Sequence, residues 1–79
     1  MVYYARIPLR VLIPTVLVRL ATDDGEVAFR ARWKEKPLNL QRLILYRMRQ
    51  GRMLWFEDEM GHDLCFRPET VSAAMVDGR

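Results

Sequence analysis

Residues 15–33, TVLVRLATDDGEVAFRARW, decide the fold, because they read as two alternating runs around the dipeptide Asp24-Gly25. Asp-Gly between such runs is a strong hairpin signal, since a two-residue turn of that type asks for positive φ at both positions. A reversal centred there sets Thr22 against Val27, Leu20 against Phe29, Val18 against Ala31 and Val16 against Trp33. That face is almost wholly apolar. The other face then sets Arg19 against Arg30 and Leu17 against Arg32. Like charges directly opposite destabilise a strand pair, so an acidic group is expected near the Arg19–Arg30 guanidinium pair, in this chain or in a partner.

Working outward toward the N-terminus, Tyr3, Ala5, Ile7, Leu9, Val11 and Ile13 alternate with Arg6, Pro8 and Arg10. The period of two predicts a further strand with one buried face. Pro8 cannot donate to a ladder, which places that strand at an edge or a bulge. Pro14 interrupts the run, and the hairpin strands follow near 15–22 and 27–33.

On the C-terminal side, Lys34 to Pro37 form a polar connector, and residues 38–50 carry helical spacing. Leu38, Leu40, Ile44, Leu45 and Met48 are assigned to one arc, and Asn39, Arg42, Tyr46, Arg49 and Gln50 to the other. Pro37 suits a first turn and Gly51 the position past the end. An all-β alternative pairs LILYRM with MLWFED as two strands joined through Arg49 to Arg52. Glu59-Met60-Gly61 then predicts a second hairpin with glycine at the left-handed position. Its register sets Asp58 against His62, Phe56 against Leu64 and Leu54 against Phe66 on one face. Glu57 with Asp63 and Trp55 with Cys65 fall on the other, giving a second like-charge pair, now acidic. PETVSAAMV reads either as a helical turn begun by Pro68, with Thr70 as a cap, or as a loop into a last short strand.

Seventy-nine residues suffice for one small domain, 1–79, with a modest core of its own. Yet 51% of the residues are hydrophobic, and a surplus of apolar surface favours self-association. The net charge of +3 is unevenly spread. Residues 30–52 hold eight basic side chains against Glu35 alone, while residues 53–79 hold six acids against two arginines. Two such halves neutralise each other when folded, or else meet an acidic or nucleic-acid partner. Eleven of the thirteen basic residues are Arg, the type suited to bidentate carboxylate and phosphate contacts.

No catalytic, metal or cofactor signature of any specificity stands in the sequence. Cys65 is the single cysteine and His62 the single histidine, so neither a disulfide framework nor a Cys–His pair with distant partners is available. In a strand, His62 and Cys65 point to opposite faces, which fails as a zinc set. The four glycines are scattered singly and make no phosphate-cradling loop. A lone cysteine makes a reducing cytoplasm the default. The longest uncharged stretch of the first twenty residues, Val11 to Val18, is too short for a bilayer span, and the segment lacks the charge order of a signal peptide.

The order of strand, hairpin, helix and hairpin is similar to a β-grasp arrangement, and FEDEMGHD (residues 56–63) resembles the acidic turn of PB1 interaction domains. The expected fold is α+β: a small, mostly antiparallel sheet or half-barrel of five to six strands with one amphipathic helix, 38–50, packed on it. The expected function is a non-enzymatic interaction or assembly module, a homo-oligomer or small adaptor. It would dock through an outer sheet face bearing Arg19, Arg30, Arg32, Trp55, Glu57 and Asp63. The alternative is a basic RNA- or DNA-binding domain using Arg42, Tyr46 and Arg49, types that stack on bases and contact phosphate. No small-molecule substrate, cofactor, metal or membrane partner is expected.

Overall fold

The computed structural model describes residues 13–78, so the predicted strand along residues 3–13 lies, Ile13 apart, outside the described residues. Among the described residues two strands come first, β1 (Thr15–Thr22) and β2 (Gly25–Arg32), followed by helix α1 (Pro37–Arg49). Then come β3 (Leu54–Glu57), β4 (Asp63–Phe66), a single 3-10 turn (Pro68–Thr70) and β5 (Val71–Asp77). Among the described residues the architecture is α+β, with one helix packed on a small antiparallel sheet system. The strands divide into a three-stranded sheet, ordered β2-β1-β5, and a two-stranded sheet, β3-β4. One antiparallel bridge, Ala31 to Asp58, links them, an arrangement compatible with a half-barrel.

The first hairpin forms as predicted, but its register differs by two residues. Thr22 pairs with Gly25, Leu20 with Val27, Val18 with Phe29 and Val16 with Ala31. The turn residues are therefore Asp23 and Asp24, not Asp24 and Gly25. No described residue other than glycine has positive φ, and Gly25 sits at φ +115°. A turn of type I character, with glycine in its fourth position, needs left-handed backbone only at that glycine. The rejected turn would have forced Asp24 left-handed as well. Thr22 fastens the observed geometry: its Oγ1 donates to the Gly25 carbonyl at 2.7 Å and accepts the Asp24 amide at 3.2 Å. A shift of two leaves every side chain on its predicted face.

Helix α1 forms and the all-β alternative does not. Pro37 occupies the first turn, where its missing N–H is no loss. At the other end the Arg52 amide bonds to the Arg47 carbonyl at 2.9 Å and the Gly51 amide to Met48 at 3.1 Å. With Gly51 at φ +67°, this is a Schellman ending. Leu40 and Ile44 are buried, and Leu43 and Met48 pack beside them. Leu38 departs from its predicted arc and is 50% exposed. Two residues advance a helix by about 200°, so Leu38 projects away from Leu40 toward the Arg42 side.

The second hairpin has the predicted register throughout: Leu54 to Phe66, Trp55 to Cys65, Phe56 to Leu64, Glu57 to Asp63. The Asp58 amide donates to the His62 carbonyl at 2.8 Å, closing the turn. PETVSAAMV supplies both alternatives in succession, a 3-10 turn and then β5 on β1. Thr70 ends that turn rather than capping its start, its Oγ1 donating to the Arg67 carbonyl at 2.8 Å. The core comprises Val16, Val18, Leu20, Ala31, Leu40, Ile44, Leu54, Phe56, Val71 and Val76. Full burial of a Val or Leu contributes roughly 1.5–3 kcal/mol. Phe29, Phe56 and Phe66 lock the two sheets together, with ring centroids 5.1, 5.8 and 6.0 Å apart, spacings typical of favourable aromatic pairs.

Candidate interaction surface

The outward positions of the three-stranded sheet follow from its register. Arg30, Leu17 and Asp77 form one row, Ala28, Arg19 and Met75 the next, and Glu26, Ala21 and Ala73 the last. Arg19 thus faces Ala28 and Met75, and the direct Arg19–Arg30 opposition predicted from sequence does not occur. The two arginines share a face as diagonal neighbours. Arg30 is turned aside: its Nε donates to Thr15 Oγ1 at 2.9 Å and its Nη2 to the Thr15 carbonyl at 3.3 Å. Arg19 remains exposed.

The like-charge pattern points to an acid beside Arg19 and Arg30, whereas the arginine that meets a carboxylate is Arg32. Its Nη1 donates to Glu57 Oε2 at 3.3 Å, and its Nη2 donates to the Glu59 carbonyl at 3.2 Å. A Cβ placed on Gly61 would meet this guanidinium at 3.5–3.7 Å, so the group lies against the turn backbone. Its Nε is buried without an acceptor among the described residues. The pair joins β2 to β3 on the outer side. It also relieves the Glu57–Asp63 juxtaposition, which the structure retains as cross-strand partners.

Trp55, opposite the exposed Cys65, is 59% exposed. Trp33, by contrast, is half-buried and its Nε1 donates to the Lys36 carbonyl at 2.9 Å. Two of the concavities among the described residues flank the outer surface. A cleft of about 450 Å³ is lined by Ile13, Pro14, Trp33, Lys34, Arg32 and Glu57; its mixed charges favour no single ligand class. A shallower depression of about 210 Å³ is floored by Ala21 and Ala73 and rimmed by Arg19, Glu26 and Met75.

On the helix, Arg42, Tyr46 and Arg49 are all exposed, and the Tyr46 hydroxyl accepts from Gln50 Nε2 at 3.0 Å. Among the described residues, no three of His, Cys, Asp and Glu converge as a metal-binding group. No helix among them is long and apolar enough to cross a membrane.

Several structural anchors escaped the sequence reading. Asp58 Oδ1 accepts the amides of Met60 and His62 at 2.9 and 2.8 Å. These bonds, that from His62 first, hold its carboxyl below the usual carboxylate value despite opposing desolvation. An Asp two residues before the loop glycine's predecessor was a legible Asx-turn signal. Gln41 Oε1 accepts the Val76 amide at 3.0 Å, a contact no local pattern announces. No family model, curated protein or solved structure matches the chain.

Proposed function

We propose that this chain is a non-enzymatic interaction module of the cytoplasm that docks through the outer faces of its two sheets. The observation that supports the reading is the Arg32–Glu57 contact at 3.3 Å, which joins β2 to β3 on the outer side. On its β1–β2 side the surface offers Arg19 and Arg30; on its β3–β4 side it offers Trp55 and Asp63. No described element covers it. An exposed tryptophan beside arginine and carboxylates has the composition of an interface centre with a charged rim. With Arg30 engaged by Thr15, Arg19 is the freer cation for a partner.

A photo-cross-linking residue placed at Arg19, and separately at Trp55, tests this in cells that naturally express the chain. The expected result is one discrete protein adduct, with the helix position Arg42 as a silent control. Diffuse or absent adducts from both sheet positions would refute the reading.

A second reading, contact with nucleic acid through α1, is favoured by one observation: Arg42, Tyr46 and Arg49 share an exposed helix face with no acid in its first turn. It predicts retention on a polyanion that falls steeply with salt, each neutralised phosphate adding roughly 0.7–0.9 to the log–log slope. Elution at low salt eliminates it.

A further inference from the structure

Resting on the second reading above, we propose that the exposed face of α1 takes an unpaired stretch of nucleic acid. One base stacks on Tyr46, and the phosphates on either side of it are held by Arg42 and Arg49.

Leu40 and Ile44 hold α1 on the inner side of the three-stranded sheet, so its opposite face is separate from the outer docking surface. Arg42 and Arg49 are seven residues apart, which puts them nearly in line along the helix, roughly 10.5 Å apart by backbone rise. That separation is too wide for one phosphate and suits two. Tyr46 stands between them on the same face and is 55% exposed. Its hydroxyl accepts from Gln50 Nε2 at 3.0 Å, which anchors the ring by its edge.

The two arginines have no anionic partner of their own. Among the described residues, no acid lies within ion-pair distance of either one, and α1 itself contains neither Asp nor Glu. Arg49 also complements the helix dipole in the last turn; Arg42, at mid-helix, has no such role. A cationic face with nothing anionic on it is complementary to a phosphate chain. An exposed ring beside cations is where unpaired bases stack. Acidic side chains would satisfy the arginines as well, but would leave the ring between them unused.

Two further contacts favour a single strand over a duplex groove. Groove readout of adenine uses side-chain amides on base edges, and both amides of this face are engaged within the chain. Asn39 Nδ2 donates to Glu35 Oε1 at 3.3 Å, and Gln50 Nε2 to the Tyr46 hydroxyl. A base paired inside a duplex cannot lay its face on Tyr46, so stacking there requires an unpaired one.

Fluorescence anisotropy of the full chain with labelled oligo-dT, oligo-rU and a duplex of equal length, at low salt, reads the outcome. Both single strands are expected to bind more tightly than the duplex. Tyr46→Leu should weaken single-strand binding about fivefold or more, as loss of one stacked base does. Tyr46→Phe keeps the ring and should keep most of the affinity. Arg42→Gln should lower the single-strand salt slope by roughly 0.7, one phosphate contact. Positions 42 and 46 are exposed, so circular dichroism should match the parent's in each variant. Displacement by polyglutamate as readily as by unlabelled oligo-dT, charge for charge, would overturn the proposal in favour of an acidic protein. A duplex bound as tightly as the single strands, or a Tyr46→Leu variant that binds like the parent, overturns this inference alone and leaves the broader helix reading standing. Absence of binding to every nucleic acid at low salt defeats both.

Discussion

Arg32 on β2 and Glu57 on β3, 25 residues apart in sequence, meet at 3.3 Å and tie the two sheets together on their outer side. With Glu57 half-exposed, the ionic contribution is small, at most about 1 kcal/mol. Arg32 does more, since it also bonds to the Glu59 carbonyl and lies against Gly61. Glu57→Gln is accordingly expected to lower stability by less than about 1 kcal/mol. Arg32→Ala should cost about 1–2 kcal/mol, losing hydrogen bonds and packing together. Urea unfolding of both variants, and of the double variant, checks the order. Equal costs for the two single substitutions would refute it.

Asp58 makes the second hairpin sensitive to acid. Its carboxyl is held low chiefly by the His62 amide, with help from the Met60 amide and the charges of His62 and Arg32. A group with a lowered folded-state pKa stabilises fully above its unfolded value, near 3.9, and loses that contribution as pH falls through the folded value. Stability is therefore expected to decline below about pH 4, with the β3–β4 turn loosening first. Asp58→Asn should flatten this decline, because its amide oxygen accepts the same bonds without titrating. Thermal melts of parent and variant from neutral pH downward read the difference; parallel slopes would contradict the assignment.

Face assignment was legible in the sequence where register was not. The alternation of Val16, Val18 and Leu20 against Arg19 fixes which side of β1 is buried, and an even slip leaves that intact. The dipeptide Asp24-Gly25 alone does not fix the register. The deciding group was the Thr22 hydroxyl, which favours a turn needing only Gly25 at positive φ. In the second hairpin a single glycine in a three-residue loop left no competing choice, and the register was readable to the residue. The Arg32–Glu57 contact is not legible in the sequence, whose like-charge pattern points to an acid beside Arg19 and Arg30 instead. The contact depends on how two hairpins meet, through the Ala31–Asp58 bridge and the phenylalanine cluster. The depression under Arg19 depends on β5 returning to β1 across 50 residues, beyond any local pattern.

Three glycines grade the turns by backbone alone. Gly51 and Gly61 lie at φ +67° and +87°, close to the left-handed well. Alanine there should cost about 1 kcal/mol each, since neither Cβ meets a close contact. Gly25 at φ +115° lies beyond that well, and Gly25→Ala should cost more, on the order of 1–3 kcal/mol. Denaturant midpoints for the three variants test the ranking, and a Gly25→Ala variant no worse than the others would defeat it.

Gln41 is the contact through which the helix holds the last strand. Its Oε1 accepts the amide of Val76, a part-buried donor on β5, while Val76 itself pairs with Val18 on the other side. A buried N–H left without an acceptor costs about 1–3 kcal/mol. Gln41→Leu keeps the helix and removes the acceptor, so it should destabilise the domain by about that amount. The effect should be local first: amide hydrogen exchange at Val76 is expected to accelerate more than at Val18. Gln41→Glu keeps an acceptor at the same reach and should restore much of the Val76 protection at neutral pH. Because β5 carries Met75 and Ala73, fraying it would also disturb the recess beside Arg19. Unchanged exchange at Val76 in the leucine variant would show that the strand is held by its ladder to β1 and not by the helix.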